Sequence, residues 1–359
     1  MKHLLVMAAG TGGHVIPGLA VAAEMKKRGW TVSWLGTSSG MENRLVPGAG
    51  IALDRVAFNG MRGKGLLGNV RGALRLLGAF FASSGLMSRR RPDAVLGMGG
   101  YVCFPGGWMA WLHRKPLLLV NADATLLLSN RALRWAARRI AFGFAGRSAQ
   151  DLGSKAIVTG NPVREQIEAL PEPGVRFAGR AGALRLLVVG GSLGARVLNE
   201  CVPQAIALMT TSHRPRVTHQ TGEAGHHDVR AAYASAGVDA EVLPFIDDMA
   251  NRLGECDVIV CRAGAITVSE LCAAGVAAVL VPFVASTTSH QRDNAAWMAA
   301  REAAVHLPQG ELSPGRLADL LSGLSRDALL AMATRARSLA RPHAAARVAD
   351  EIEKMVVPA

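Results

Sequence analysis

Two segments of this chain share one design: an apolar run, a glycine-rich turn, then residues of helical character. In the first, Leu4-Leu5-Val6-Met7 leads into Ala8-Ala9-Gly10-Thr11-Gly12-Gly13-His14. In the second, Leu186-Leu187-Val188-Val189 leads into Gly190-Gly191-Ser192-Leu193-Gly194-Ala195. A short apolar run bounded by glycine suits a strand covered on both faces, as in a parallel sheet. A helix that opens after such a turn begins with amide groups that have no carbonyl partner, and an anion can sit there. Either turn alone could be a plain strand-to-helix connection, since neither fits G-x-G-x-x-G cleanly. Two of them, one opening each half of 359 residues, predict two open α/β domains.

Order along the chain supports that prediction. In the first half, strands are expected near 2–7, 31–35, 53–58, 94–98, 117–120 and 157–158. Helices are expected from Pro17 to about Arg28, with Gly29 as its C-cap, and over about 67–89. In the second half, strands at 185–189, 216–219, 241–243, 257–261 and 278–281 alternate with helices at 195–210, 226–236, 267–274 and 292–302. Such alternation means parallel sheets with right-handed crossovers, whose ligands gather at the carboxyl ends of the strands. Thr159-Gly160-Asn161-Pro162 reads as a hinge, and a last helix is expected near 342–355.

Charge and composition narrow the partners. Lys and Arg exceed Asp and Glu by 13, which suits nucleic acid, anionic lipid or phosphorylated small molecules. Aromatic residues are only 5%, with no stacking signature, zinc-finger spacing or helix-turn-helix signal, so nucleic acid is set aside. A dehydrogenase would need an acidic residue closing the second strand, where Trp34-Leu35-Gly36-Thr37 has none. The five cysteines are scattered among apolar neighbours and read as reduced core thiols of a cytosolic protein. No signal peptide is expected, and no uncharged apolar stretch reaches the ~18–20 residues that span a bilayer. Asp247-Asp248 reads as an acidic helix start and His226-His227 as surface, so neither a metal nor a cofactor is expected.

A few residues could carry chemistry. His14 closes the first turn and is either structural or a general base. After the strand expected over Asp257–Val260, Cys261-Arg262-Ala263-Gly264-Ala265-Ile266-Thr267-Val268-Ser269-Glu270 starts a helix in which Glu270 could accept from vicinal hydroxyls, as on a ribose. Its plainer role would be compensation of the helix dipole, worth a few tenths to about 1 kcal/mol. The polar loop Ser289-His290-Gln291-Arg292-Asp293-Asn294 would suit sugar hydroxyls, or serve only as a solvated connection. On the long helix, Val70, Leu74, Leu77 and Phe81 form one stripe, flanked by Leu76 and Phe80 and by Arg62, Lys64, Arg71, Arg75 and Arg89-Arg90-Arg91. That stripe either faces the core or docks on an anionic membrane surface.

Seven motifs then occur in order: GTGGHVIPGLAVA at 10–22, GGYV at 99–102, GNPVR at 160–164, GGSLGAR at 190–196, PFIDDMA at 244–250, CRAGAITVSE at 261–270 and HQRDNA at 290–295. Together they resemble the MurG family, the peptidoglycan N-acetylglucosaminyltransferases, over nearly the whole chain. The resemblance implies an α/β protein of the GT-B fold, two Rossmann-like domains facing each other across a cleft. Residues 1–162 would bind acceptor and membrane, with the helix 341–359 packing back on them, and residues 163–340 would bind the donor, UDP-GlcNAc. The implied activity is inverting transfer of GlcNAc to the 4-hydroxyl of polyprenyl-diphosphate-linked MurNAc-pentapeptide, at the cytoplasmic face of the bacterial inner membrane. Proteins of the cell-wall and division machinery are further possible partners. A UDP-GlcNAc 2-epimerase, or a non-catalytic nucleotide-sugar-binding protein of the same fold, stays open as an alternative.

By position, the resemblance assigns Ser192 to the donor diphosphate, the Ile246 backbone to uracil, and Arg262 with Ala265, Ile266, Thr267, Val268 and Ser269 to the nucleotide pocket. Glu270 falls on the ribose, Gln291 and Asn294 on GlcNAc hydroxyls, and Arg164 on the ordered donor complex. Thr11, Gly12, Gly13 and His14 form the loop facing the donor, and Tyr101 and Asn121 lie on the acceptor side. Two positions depart from the family pattern. Leu193 replaces a glutamine, and Val120-Asn121-Ala122-Asp123 stands where the family has H-E-Q-N. Asp123 takes the place of an asparagine, so His14 and Asp123 both remain candidates for the base that takes the acceptor proton.

Overall fold

A computed structural model describes residues 1–10, 12–57, 66–191, 193–283 and 290–356, the side chains of 66–71 excepted. The chain divides into two compact units, Met1–Val163 together with His343–Ala359, and Arg164–Pro342.

The first unit is built on seven strands: β1 (His3–Ala8), β2 (Thr31–Thr37), β3 (Ala52–Val56), β4 (Ala94–Gly99), β5 (Leu117–Asn121), β6 (Arg139–Phe142) and β7 (Ala156–Val158). They form one sheet in the order β3-β2-β1-β4-β5-β6-β7, and every paired neighbour is parallel. Side chains alternate between faces along a strand. Leu4, Val6 and Ala8 accordingly enter one core layer, while Leu5, Met7 and Ala9 enter the other. This double burial is why β1 reads as an unbroken apolar run.

The helix after the first turn spans Gly12–Lys27, so it begins five residues before Pro17. Pro17 is the sixth residue and lies inside the helix, beyond its first turn, so it removes the hydrogen bond that an amide there would make to the Gly13 carbonyl. Gly18 lets that helix approach the sheet, because a Cβ there would run into the Trp34 ring. The helix Ala344–Val356 lies against the same layer, with Val348, Ala349 and Ile352 wholly buried beside Val21, Ala22 and Met25. Arg28 reaches across to Asp350 at 2.7 Å and Glu353 at 2.8 Å. Full burial of each large apolar side chain is worth roughly 1.5–3 kcal/mol, against about 0–1 for an exposed ion pair. The apolar stripe therefore holds this helix in place and the arginine sets its register.

The second unit holds β8 (Arg185–Val189), β9 (Arg216–Gln220), β10 (Ala240–Leu243), β11 (Val258–Cys261), β12 (Ala277–Leu280) and β13 (Val305–His306). Their order is β10-β9-β8-β11-β12-β13, again parallel throughout. Leu186, Val188, Val217, Val258, Val260 and Val279 supply the strand side of its core. All five cysteines are buried free thiols. No helix among the described residues is long and apolar enough to cross a membrane.

One polar pair sits inside this second core. His219 on β9 is wholly buried, and its Nδ1 lies 3.0 Å from the hydroxyl of Tyr233. Burial pushes the imidazole down to about 4 from its usual 6.5. The folded chain thus resists protonation that the unfolded chain accepts, so His219 costs no stability above pH 6.5 and a growing amount below it. A shift of this size corresponds to about 3 kcal/mol. The unfolding midpoint of the second unit should fall as pH drops from 6.5 to 4, and His219→Gln should flatten that slope when melting is followed across the range.

Candidate functional site

In the first unit, the residues singled out from sequence collect where β1, β4 and β5 end. Gly12 and Gly13 are the first two residues of the helix Gly12–Lys27, and His14 follows one position later. The imidazole packs on the turn after β4. Gly99 has φ +127°, and a Cβ built there would fall onto the His14 ring. Only glycine offers both that backbone conformation and that clearance. The Nδ1 atom of His14 is enclosed without a hydrogen-bond partner. Desolvation lowers the imidazole pKa, while the charge of Asp123 and the backbone of Met98 oppose that shift. Desolvation dominates, so His14 is neutral at pH 7 and able to take a proton.

Asp123 is half-buried on the loop that follows β5, and the structure brings it into the electrostatic neighbourhood of His14. Asn121 is wholly buried and shapes this loop. Its Nδ2 donates to the carbonyls of Asp123 and Thr125 at 2.8 and 3.0 Å, and its Oδ1 accepts from the Leu127 amide at 2.9 Å. Asn161, in the GNPVR motif, donates to the Ala122 carbonyl at 2.9 Å. Both asparagines set where Asp123 stands. Tyr101 is half exposed, with 49% of its surface accessible. Thr11 lies outside the described residues.

In the second unit, the helix Ala265–Ala274 starts at the end of β11, with Gly264 extended before it. Ala265 and Val268 are buried, Ile266, Thr267 and Ser269 are half-buried, and Ser269 Oγ donates back to the Ala265 carbonyl at 2.9 Å. The far end of this helix closes on left-handed Gly275, and Arg176 donates to the carbonyls of Ala274 and Gly275. A cation at the C-terminus and free amides at the N-terminus favour negative charge at the latter.

Glu270 projects from the second turn of this helix with its side chain 13% exposed. Arg164 donates to its Oε1 through Nε at 2.9 Å, and Nη2 lies 2.8 Å from the same oxygen. Burial raises the Glu270 pKa, and Arg164 pulls it back down. Arg262 donates to the Val281 carbonyl at 3.1 Å and to Gln309 Oε1 at 2.8 Å, and its guanidinium lies over the ring of Phe283. Gln291 accepts from the Phe283 amide at 2.9 Å, and Asn294, wholly buried, donates to the Ala263 carbonyl at 3.1 Å. Ile246 is 4% exposed. Ser192 is outside the described residues, and Leu193, in the place of the family's glutamine, is 89% exposed.

Two residues with no motif to announce them shape these turns. Gln220, at the end of β9, donates to the carbonyls of Gly191 at 3.0 Å and Pro244 at 3.2 Å, tying the glycine turn to the PFIDDMA segment. Glu42 plays a comparable part in the first unit. A cavity of about 850 Å³ lined by Arg185, Arg216, Glu241 and Arg252 opens at the amino ends of β8, β9 and β10, away from these residues. Among the described residues no group of three or more His, Cys, Asp and Glu side chains could hold a metal.

The two turns and the residues around them belong to known sequence families. Residues 4–142 match the glycosyltransferase family 28 N-terminal domain, and residues 185–352 match the glycosyltransferase family 28 C-terminal domain. The chain is a family 28 glycosyltransferase. A relative from Methylibium petroleiphilum, named UDP-N-acetylglucosamine--N-acetylmuramyl-(pentapeptide) pyrophosphoryl-undecaprenol N-acetylglucosamine transferase, is 66% identical, with 99% of this chain and 98% of the relative covered. The crystal structure of Acinetobacter baumannii MurG aligns at a TM-score of 0.84 and 37% identity, covering 99% of this chain and all of that one. A UDP-GlcNAc 2-epimerase from Neisseria meningitidis shares the fold at a TM-score of 0.67 with 14% identity, over 99% of this chain and 100% of the epimerase. The chain thus belongs to the MurG family and has the GT-B fold, with two parallel Rossmann-like sheets.

The contact between Gly99 and His14 is directly testable. Gly99→Ala should destabilise the first unit by about 1–3 kcal/mol through strain at positive φ and displacement of the imidazole, read as a lower urea midpoint.

Proposed function

We infer that this family 28 enzyme transfers GlcNAc from UDP-GlcNAc to N-acetylmuramyl-(pentapeptide) pyrophosphoryl-undecaprenol, lipid I, forming lipid II in peptidoglycan synthesis. The 66% identity to the Methylibium transferase over essentially both lengths carries this reading. The epimerase likeness, at 14% identity, is one of fold alone.

The chemistry follows as a single displacement. His14, neutral and enclosed, takes the proton of the MurNAc 4-hydroxyl as that oxygen attacks C1 of the donor sugar. The bond from C1 to the UDP oxygen breaks on the opposite side, which inverts the configuration. Asp123 stabilises the imidazolium that forms. The first unit supplies the acceptor groups, including Tyr101, and the second unit holds the donor. Amides of the turn 190–194 and of the helix start at 265–267 stabilise the departing diphosphate. Ile246 meets uracil through its backbone, Arg262 borders the nucleotide, and Gln291 and Asn294 border the sugar. Arg164 engages only Oε1 of Glu270 in the bonds described above, which leaves Oε2 to accept from a ribose hydroxyl.

Charge and shape support a peripheral site on an anionic membrane, at the cytoplasmic face where the acceptor's diphosphate would be presented. The first unit carries 23 Lys and Arg against 9 Asp and Glu, the second 17 against 18, so the whole basic excess of the chain lies in the first. On the helix Leu66–Arg90, Leu74, Leu77 and Phe81 are 63, 55 and 78% exposed, while Ala79, Ser83, Leu86 and Met87 face the core. The exposed apolar stripe and the buried one are therefore different faces of one helix. That arrangement suits shallow insertion into lipid with basic side chains alongside.

Radiolabelled UDP-GlcNAc and lipid I should give labelled lipid II, and absence of transfer to that acceptor would overturn the assignment. His14→Ala should lower turnover roughly 10²–10⁴-fold with donor affinity retained, by assay and calorimetry. Phe81→Asp should weaken sedimentation with anionic vesicles while leaving the melting temperature unchanged.

A further inference from the structure

The first glycine turn is held by a carboxylate that the reaction does not use. Glu42 opens the short helix Glu42–Gly48 and is wholly buried. Among the described residues it has no ion pair with a basic side chain. Its Oε1 accepts from the backbone amide of Thr37 at 2.9 Å and from the Thr37 hydroxyl at 2.7 Å. Its Oε2 accepts from the amide of Gly10 at 3.1 Å. A second strap runs the other way, from the Met41 amide to the Gly10 carbonyl at 3.1 Å. The space for this side chain is cleared by glycine, since a Cβ at Gly36 or Gly40 would run into it.

We propose that Glu42 is the positioning residue for the turn that carries His14, its carboxylate joining the end of β2 to Gly10 and so fixing where the following helix begins. The donors around it explain why the group is a carboxylate. All three partners give a hydrogen, at both oxygens, so an acceptor-only side chain satisfies them. A glutamine of the same shape would turn its NH2 group toward Gly10 or toward Thr37, setting donor against donor in a buried place. Gly10 has φ +101° and stands two residues before the helix Gly12–Lys27, so little chain separates the tie from His14. The neighbouring amide of Ala9 donates to the Gly99 carbonyl at 3.3 Å, which joins the same turn to the residue on which the imidazole rests. Loss of the tie at Gly10 would free one side of that seat.

This inference rests on His14 being the base, and the experiment separates the two claims. The full-length Glu42→Gln protein is assayed beside His14→Ala for turnover, for UDP-GlcNAc affinity by calorimetry and for the pH profile of kcat/KM toward the acceptor. The expected result for Glu42→Gln is a turnover at least tenfold lower, a donor Kd within twofold of the parent, and an acid limb moved to higher pH. The limb moves because an imidazole released from burial recovers toward its ordinary pKa. A turnover loss with an unmoved acid limb, or one matched by an equal loss of donor affinity, overturns the proposal by marking Glu42 as merely structural. Unchanged turnover in Glu42→Gln with an inactive His14→Ala also overturns it, whereas an active His14→Ala removes the base itself. If Glu42→Gln does not fold, Thr37→Val, which deletes one donor and keeps the backbone tie, should show the same split at a smaller size, and its absence there counts against the proposal.

Discussion

Everything chemical in this molecule hangs from the carboxyl ends of parallel strands. A parallel strand cannot be followed by its neighbour without a crossover, and right-handed crossovers return each loop to the same edge of its sheet. Residues far apart in sequence are brought together by that rule alone. His14 follows β1, Gly99 ends β4 and Asp123 follows β5. In the second unit the turn after β8, Gln220 on β9 and the helix start after β11 converge in the same way. The glycines in these loops meet the other half of the constraint, since a backbone that must approach a neighbouring loop closely has no room for Cβ. A Cβ on Gly194 would meet the Thr221 carbonyl, just as one on Gly99 would meet the imidazole.

Much of this was legible in the sequence, and the reason is local. Runs such as Leu4–Met7 and Leu186–Val189 are buried on both faces, and their glycine boundaries state where the strand ends. The exposed stripe Leu74, Leu77 and Phe81 could be seen at helical spacing, but which face it presented could not. That depended on Ala79, Ser83, Leu86 and Met87 offering a better core surface on the opposite side. A proline suits the first turn of a helix, so Pro17 points to a start five residues later than the real one at Gly12. The strand Arg139–Phe142 and the two-residue β13 are too short and too mixed to declare themselves alone.

The polar scaffolding was hidden for a different reason. Arg164 and Glu270 are 106 positions apart. Nothing in either neighbourhood announces the other. Gln220 and Asn121 resemble ordinary strand-end polar residues until their acceptors are known. Trp34–Thr37 holds no acid of its own, yet a carboxylate does lie at the end of β2, reaching back from Glu42 to Thr37 and Gly10. Hydrogen-bond partners of this kind are set by tertiary closure, and no periodicity encodes them.

The route of the backbone has a consequence for biosynthesis. The first unit is assembled from two separate stretches of chain, Met1–Val163 and His343–Ala359, with the whole second unit inserted between them. A ribosome therefore releases every strand of the second sheet before it releases Val348, Ala349 and Ile352, which finish the apolar layer over Val21 and Met25. The later-synthesised lobe can mature while the earlier one still waits, with bare hydrocarbon on one flank, for the helix Ala344–Val356.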